Sequence, residues 1–400
     1  MTRANRFLKI FNIADGVTRQ FYNDELENVE IIERITDNNQ ALNINEASLK
    51  ILPLINSGVL FQRTLPFTIY RNDELFGRFY IDKSIANTDQ TIYDITVSDY
   101  IKILEAQTYL GGLYTNKTVS SLIAEILGDI PYTLDATLGA YTVSGYLPIL
   151  TKREALRQVA FCLNAFIDTS RTDKIEIKPF LNARNRFVDK SEIFYIETTQ
   201  ENITTKIELN TQQLTTKNAE NDDLFEGILN GTKMIVFDSP KFNLSISGTG
   251  GTIISSNINY AIISGTGSNI KLTGKSYEQY VIVATKTNDY TVSSDIEKID
   301  SYDTTLTCDN INILDYLKFV EYKIRCKFKM ENAKVGDLVV INNMICRITQ
   351  LDYELEQTTI YANAEMQKYY YDSNELYLQT EAGIDITTEN NVILEAELWV

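Results

Sequence analysis

The sequence predicts a mainly β protein with one inserted α+β module. Three observations point there. Most of the chain falls into apolar–polar runs of period two, punctuated by Asn, Asp and Gly turns. Sustained helical spacing of apolar residues is confined to the stretch between Lys117 and Leu163. Finally, 24 Tyr and 17 Phe in 400 residues favour strands and surfaces that meet other surfaces.

Residues 1–105 read as short strands. Phe7–Phe11, Val29–Ile32 and Ala41–Ile44 are strand runs, with turns at Asp15-Gly16 and Asp37-Asn38-Asn39. The clearest hairpin joins Phe67–Tyr70 to Leu75–Ile81 through Arg71-Asn72-Asp73-Glu74. Thr91–Val97 is a further strand, and Ser98-Asp99 caps a short helix through Leu104. Five or more such strands close a small barrel or sandwich.

Residues 106–184 form the module. Thr118 precedes Val119, Leu122, Ile123, Ile126 and Leu127 at helical spacing, and Gly128 takes the C-terminal glycine position. After Ile130-Pro131 and an aromatic loop, Thr151 and Glu154 form a capping box. Ala155, Leu156, Val159, Ala160 and Leu163 give this second helix one apolar face. A tight hairpin follows, Phe166–Asp168 and Ile175–Ile177 around Ser170-Arg171-Thr172-Asp173.

A second β region spans 185–235 and 300–370, interrupted by a Gly/Ser-rich β insertion at 236–299. Lys217–Asp223 reads as a polar loop and Tyr280–Ala284 as a buried strand. Gly250-Gly251 lacks the Gly-Lys-Ser/Thr ending of a phosphate loop, so β-turns are expected there. Val320–Phe328, Leu338–Ile341, Met344–Ile348 and Ile360–Met366 make a meander, with Asn342-Asn343 as a type I′ turn. Residues 371–400 carry a period-eight repeat aligning Leu378 with Ile386 and Leu394, and Glu381 with Glu389 and Glu397. Trp399 is a partner anchor there.

Composition narrows the function. A net charge of −17, from 54 acidic against 37 basic residues, disfavours tight nucleic-acid binding. The same sign suits a wall past which nucleic acid slides. There is no histidine, which removes the commonest general base and most zinc and iron sites; carboxylate-only glycosidase chemistry stays open. Cys162, Cys308, Cys326 and Cys346 include no CxxC and are expected as buried thiols, made in a reducing compartment. No run resembles a signal peptide or reaches the ~20 apolar residues of a membrane helix. A soluble chain made in a cytoplasm is the expectation.

Acidic groups such as Asp222-Asp223 with Glu226, or Glu354 with Glu356, read as solvated strand edges and loops. Asp37-Asn38-Asn39 and Asp372-Ser373-Asn374-Glu375 offer oxygen ligands without the spacing of a calcium loop. No catalytic residue, cofactor site or metal site is expected.

The order of the modules resembles the hub proteins of phage tails, including contractile-tail baseplate hubs, siphophage tail-tip hubs and R-type bacteriocin hubs. Three runs carry the likeness: IYRNDELFGRFYID at 69–82, TKREALRQVAF at 151–161 with the Asp168–Ile177 hairpin, and the KVGDLVVINN meander from Lys334. They are spread over residues 1–370; the repeat at 371–400 lies outside the family plan. The resemblance implies two tube-like β-barrel domains per chain, 1–105 and 185–235 with 300–370. It implies a homotrimeric pseudo-sixfold ring joining a hexameric tail tube to a distal tip, spike or fibre. Partners would be a tail tube or distal tail protein, the spike, tip or fibre, and neighbouring baseplate proteins on the outer module. DNA would pass an acidic channel without specific binding, with no stable membrane insertion. The location would be the virion, after synthesis in the bacterial host cytoplasm, and no enzyme activity is implied. The alternative is a carbohydrate-binding or carbohydrate-hydrolysing β-protein of a tail tip.

Overall fold

The computed structural model describes residues 6–12, 17–22, 25–35, 41–52, 66–89, 91–180, 185–187, 190–200, 204–288, 298–330, 333–341, 344–355 and 359–370. Among these, the chain opens with β1 (Arg6–Asn12), β2 (Val17–Tyr22), β3 (Leu26–Arg34), β4 (Glu46–Ile51), β5 (Pro66–Arg71), β6 (Glu74–Ala86) and β7 (Tyr93–Ser98). Helix α1 (Tyr100–Glu105) leads into the module. It contains β8 (Thr108–Tyr109), β9 (Gly112–Thr118), α2 (Val119–Leu127), β10 (Tyr132–Leu134), α3 (Ala136–Ala140) and β11 (Thr142–Leu147). Then come β12 (Leu150–Thr151), α4 (Lys152–Cys162), β13 (Ala165–Asp168) and β14 (Ile175–Pro179). Strands β15 (Asn185–Phe187) and β16 (Ile193–Gln200) precede a long arm of β17 (Thr204–Val236), β18 (Lys241–Ser247), β19 (Gly251–Ser256), β20 (Tyr260–Thr287) and β21 (Lys298–Thr304). The chain continues with β22 (Leu306–Cys308), α5 (Ile313–Tyr316), β23 (Phe319–Lys329), β24 (Leu338–Ile341), β25 (Met344–Glu354) and β26 (Tyr361–Tyr370).

The mainly β class holds, and the two β regions share one sheet. Thirteen strands run in the order β16-β23-β26-β25-β3-β4-β7-β6-β5-β1-β2, with β24 on β25 and β15 on β24. The seam is antiparallel, from Gln350 opposite Arg34 to Glu354 opposite Glu30. Two tube-like barrels are expected from the sequence; among the described residues the sheet does not close, and its path is open at β16 and β2. One edge of β3 pairs with β4 and the other with β25. One hydrophobic cluster spans both units, with Ile31, Leu49, Phe67 and Ile95 from the first and Phe328, Ile348, Leu351 and Met366 from the second. Alternation produces this shared core, since β3 buries Val29, Ile31 and Glu33 and sends Glu30, Ile32 and Arg34 to the other face.

The two long helices follow their sequence pattern. Helix α2 buries Val119, Leu122, Ile123, Ile126 and Leu127, and the N–H of Gly128 (φ +61°) closes it on Ala124. Helix α4 buries Ala155, Leu156, Val159 and Ala160, with the Thr151 hydroxyl capping the Glu154 N–H at 3.1 Å. The carboxylate of Glu154 turns to Arg157 and Gln158. Both helix faces join α1, β9, β13 and β14 in a second core. At the Arg71–Glu74 turn, Asn72 and Asp73 have φ of +51° and +63°, as a tight hairpin of right-twisted strands requires.

Other expectations shift. Residues 41–45 form no strand, because the Leu42 carbonyl receives the Arg153 guanidinium and Asn45 is drawn into a buried network. The aromatic loop after Pro131 holds β10, parallel to β14, and helix α3. Lys217–Asp223 is continuous strand within β17, the register slipping between Thr216 and Asn221. Residues 204–235 pair with β20 and β21 in a five-stranded sheet, so the expected boundary at 235/236 falls inside one strand. Tyr280–Val283 are exposed, because β18 stops pairing with β20 at Ser276 and no described strand continues along that edge. The turns at 15–16, 37–39 and 342–343 and the repeat at 371–400 lie outside the described residues.

Leu156 is fully buried. Leu156→Ala should lower the unfolding free energy by about 2–5 kcal/mol in a denaturant titration.

Candidate functional site

The five residues Asp168 to Thr172, which belong to the tight hairpin read from the sequence, are all buried. They sit where both halves of the large sheet meet the module. Asp168 Oδ1 orders the turn by accepting from the Ser170 N–H at 2.9 Å and its hydroxyl at 2.6 Å. Lys178 Nζ meets the other carboxylate oxygen at 2.8 Å. This local order presents Arg171, at φ +51°, to the core.

The side chain of Arg171 is 3% exposed and that of its partner Glu33 on β3 is 1% exposed, with Nε and Oε1 3.3 Å apart. Tyr353 on β25 donates to the same Glu33 oxygen at 2.8 Å. Arg171 also donates to the Ala333 carbonyl at 2.6 Å and lies over the rings of Phe76 and Tyr353. Glu33 Oε2 is buried without a hydrogen-bond partner among the described residues. Burial pushes the Glu33 carboxyl up, opposed by Arg171 and the Tyr353 hydroxyl. For Arg171 burial works downward as the largest single influence, and Glu33 and Tyr353 together outweigh it and raise the guanidinium further.

A second buried knot lies two residues earlier in the chain, at Thr169. Thr169 donates its hydroxyl to Asp99 Oδ2 at 2.5 Å, and the Asn45 N–H reaches the same oxygen at 3.0 Å. Asn45 Nδ2 donates to the Thr169 hydroxyl, and Asn45 Oδ1 accepts from the Arg34 N–H. Asp99 also caps α1 through the Ile101 N–H at 3.0 Å. Burial pushes Asp99 up to about 6 from 3.8, against these hydrogen bonds.

Beside the turn is a cleft of about 190 Å³ between β13–β14 and the Gly336-Asp337 corner. Gly336, at φ +88°, lies so close to Phe166 that an added Cβ would stand 3.0 Å from the ring. Arg347 closes the wall, 4.6 Å over the Phe180 ring and donating to the Gly336 carbonyl at 3.0 Å. Two of the sequence runs singled out above thus meet at one corner. On the face of the sheet away from the core, Arg34–Glu46 and Arg325–Glu365 pair at 3.0 and 3.1 Å, so charge of both signs is interspersed.

Burial pushes the Cys326 and Cys346 thiols up to about 12 and also raises Cys162, so all three stay protonated. The acidic groups weighed from sequence scatter: Asp222 pairs with Lys241 at 2.8 Å, Asp223 with Lys271 at 2.7 Å, and Glu226 and Glu354 are exposed. Glu356, Asp37–Asn39 and Asp372–Glu375 lie outside the described residues. No cluster of three or more Cys, Asp or Glu suited to a metal occurs among the described residues. No helix there is long and apolar enough to cross a membrane.

Arg171→Met should destabilise the protein by about 3–5 kcal/mol by stranding the Glu33 charge, and adding Glu33→Gln should recover a large part in the same unfolding assay. Asp99, raised in the folded state, contributes stability that is complete below pH 3.8 and is lost as pH rises through about 6. The fall in unfolding free energy between pH 4 and 7 should therefore shrink by roughly 2 kcal/mol in Asp99→Asn.

No protein-family model matches the chain, and no curated protein sequence matches it. Solved structures do. The prophage tail protein gp18 from Listeria monocytogenes EGD-e superposes with a TM-score of 0.53 at 9% identity, over 90% of this chain and 94% of its own. A 43 kDa tail protein of prophage MuSo2 from Shewanella oneidensis gives 0.51 at 10% identity, over 90% and 98%. A tail protein from Neisseria meningitidis MC58 gives 0.50 at 8% identity, over 92% and 97%. The chain has the fold of phage tail proteins.

Proposed function

We propose that this chain is a structural hub of a phage tail or a related bacteriocin, and not an enzyme. Three copies form a ring in which the six β units, two per chain, face a hexameric tail tube on one side and a tip, spike or fibre on the other. The observation that carries the reading is the β3–β25 seam, which holds two β units edge to edge within one chain. A threefold ring of such pairs presents six similar units, which is what matching a sixfold tube to a threefold tip demands. Similarity to three tail proteins over nine-tenths of the chain supports the same class of role.

The polar sheet face lines the passage in this reading. Two of its cations are held by carboxylates, Arg34 by Glu46 and Arg325 by Glu365, and the whole chain is acidic. A polyanion crossing such a wall finds few free cations to hold it. The helical module stands outside and offers its surface to neighbouring baseplate proteins, and the ring belongs to the virion.

Light scattering of the purified chain, alone and mixed with its tail tube protein, should give a trimer mass, with three-lobed rings in negative stain. A monomer under both conditions would contradict the hub. Release of reducing sugar from host cell walls by the pure chain would favour the glycosidase reading instead.

A further inference from the structure

Strand β20 has one edge paired with β17 along its length. Its other edge is paired with β19 near Ala261–Gly265 and with β18 near Lys271–Ser276. From Gln279 to Val283 no strand among the described residues pairs with that edge. Tyr280, Val281, Ile282 and Val283 are 43, 54, 47 and 54% exposed. Alternation sends Val281 and Val283 to one face and Tyr280 and Ile282 to the other, so both faces and the edge are open. The run Gln279–Ala284 holds no charge and no proline, the usual devices that keep an edge from recruiting another strand.

The last described strand ends opposite the start of β23, which packs against β17 and the end of β20. Tyr370 pairs with Phe319, which packs with Ile207 and Leu209 of β17, and Ala284 of β20 lies against the same cluster. Lys286 of β20 donates to the carbonyls of Asp315 and Leu317, just ahead of Phe319. Thirty residues come after Tyr370, roughly 100 Å if extended at ~3.3 Å per residue.

Those residues have the chemistry of an added strand. Leu376-Tyr377-Leu378 and Val392-Ile393-Leu394 put apolar side chains on both faces, as the edge does. Residues 371–400 carry seven acidic residues and no basic one. Pairing with the same segment of another copy sets like charges against each other, whereas the uncharged run at 279–284 accepts it without that penalty. A single octad repeat buries little by itself and needs a neighbour.

We propose that the chain's own segment 371–400 adds as a strand to the β20 edge at Gln279–Val283 and covers its apolar faces. The test is made in the full chain. Ile282→Cys is labelled with a benzophenone maleimide, the four native cysteines being buried, in an equal mixture of isotopically light and heavy protein. Photolysis should join position 282 to peptides from 371–400 of the same isotope. Light–heavy joined peptides would assign the edge to a second copy and overturn the proposal, as would joining only to other parts of the chain. In the unlabelled protein, the amides between 279 and 283 that point away from β17 should exchange about tenfold or more slowly than free chain, and lose that protection when Leu378→Pro and Leu394→Pro are combined, while those that point to β17 keep theirs. Protection unchanged by the two prolines would overturn the proposal as well.

Discussion

One buried ion pair, Arg171 with Glu33, ties together parts of the chain that are far apart in sequence. Glu33 belongs to the first β unit, Arg171 to the module 138 residues later, and Tyr353, 320 residues from Glu33, to the second unit. Arginine keeps its proton under all ordinary conditions, so this charge, almost wholly out of water, is tolerable only when Glu33, the Ala333 carbonyl and the two flanking rings are all in place. A hydrophobic contact would tolerate sliding; a guanidinium held by a carboxylate and a carbonyl fixes register and orientation. The Asp99–Thr169–Asn45 knot fixes a nearby residue of the same turn against the first unit.

Much of the fold was legible because period-two and helical patterns are local. The apolar faces of α2 and α4, the Asn72-Asp73 hairpin, the Asp99 cap and the β23–β26 meander all follow from spacing and turn chemistry. What spacing could not reveal is which edge meets which. The β3–β25 seam joins residues more than 300 apart, and no local pattern marks Glu33 as the partner of Arg171. Ser170-Arg171-Thr172-Asp173 reads only as the turn of a tight hairpin, and the tertiary neighbours make Ser170, Arg171 and Thr172 core. The one available signal was Glu33 itself, an acidic residue in phase with the buried Val29 and Ile31 of an alternating strand. The expected burial of Tyr280–Val283 fails for the complementary reason. An apolar run of strand formers looks the same whether or not the fold supplies a neighbour.

The long arm shows how such a protein carries extra structure without disturbing its core. Asn257 and Asn259 donate to the backbone carbonyls of Gly111, Leu110 and Leu147, clipping the far end of the arm onto the module. Gly111, at φ +62°, permits the approach, since a Cβ there would stand 2.1 Å from the Leu147 carbonyl. The chemistry across the molecule is one of joining: charges paired, thiols protonated and polar groups spent on positioning segments.

The central claim is that module and both β units form one cooperative body held through Arg171. Native-state hydrogen exchange tests it most directly. Amides of Ile31 and Ile32 on β3, Asp352 and Tyr353 on β25 and Phe166 and Ile167 on β13 should share one opening free energy equal to that of global unfolding. Separate openings, with β25 exchanging while β3 and β13 remain protected, would contradict the account.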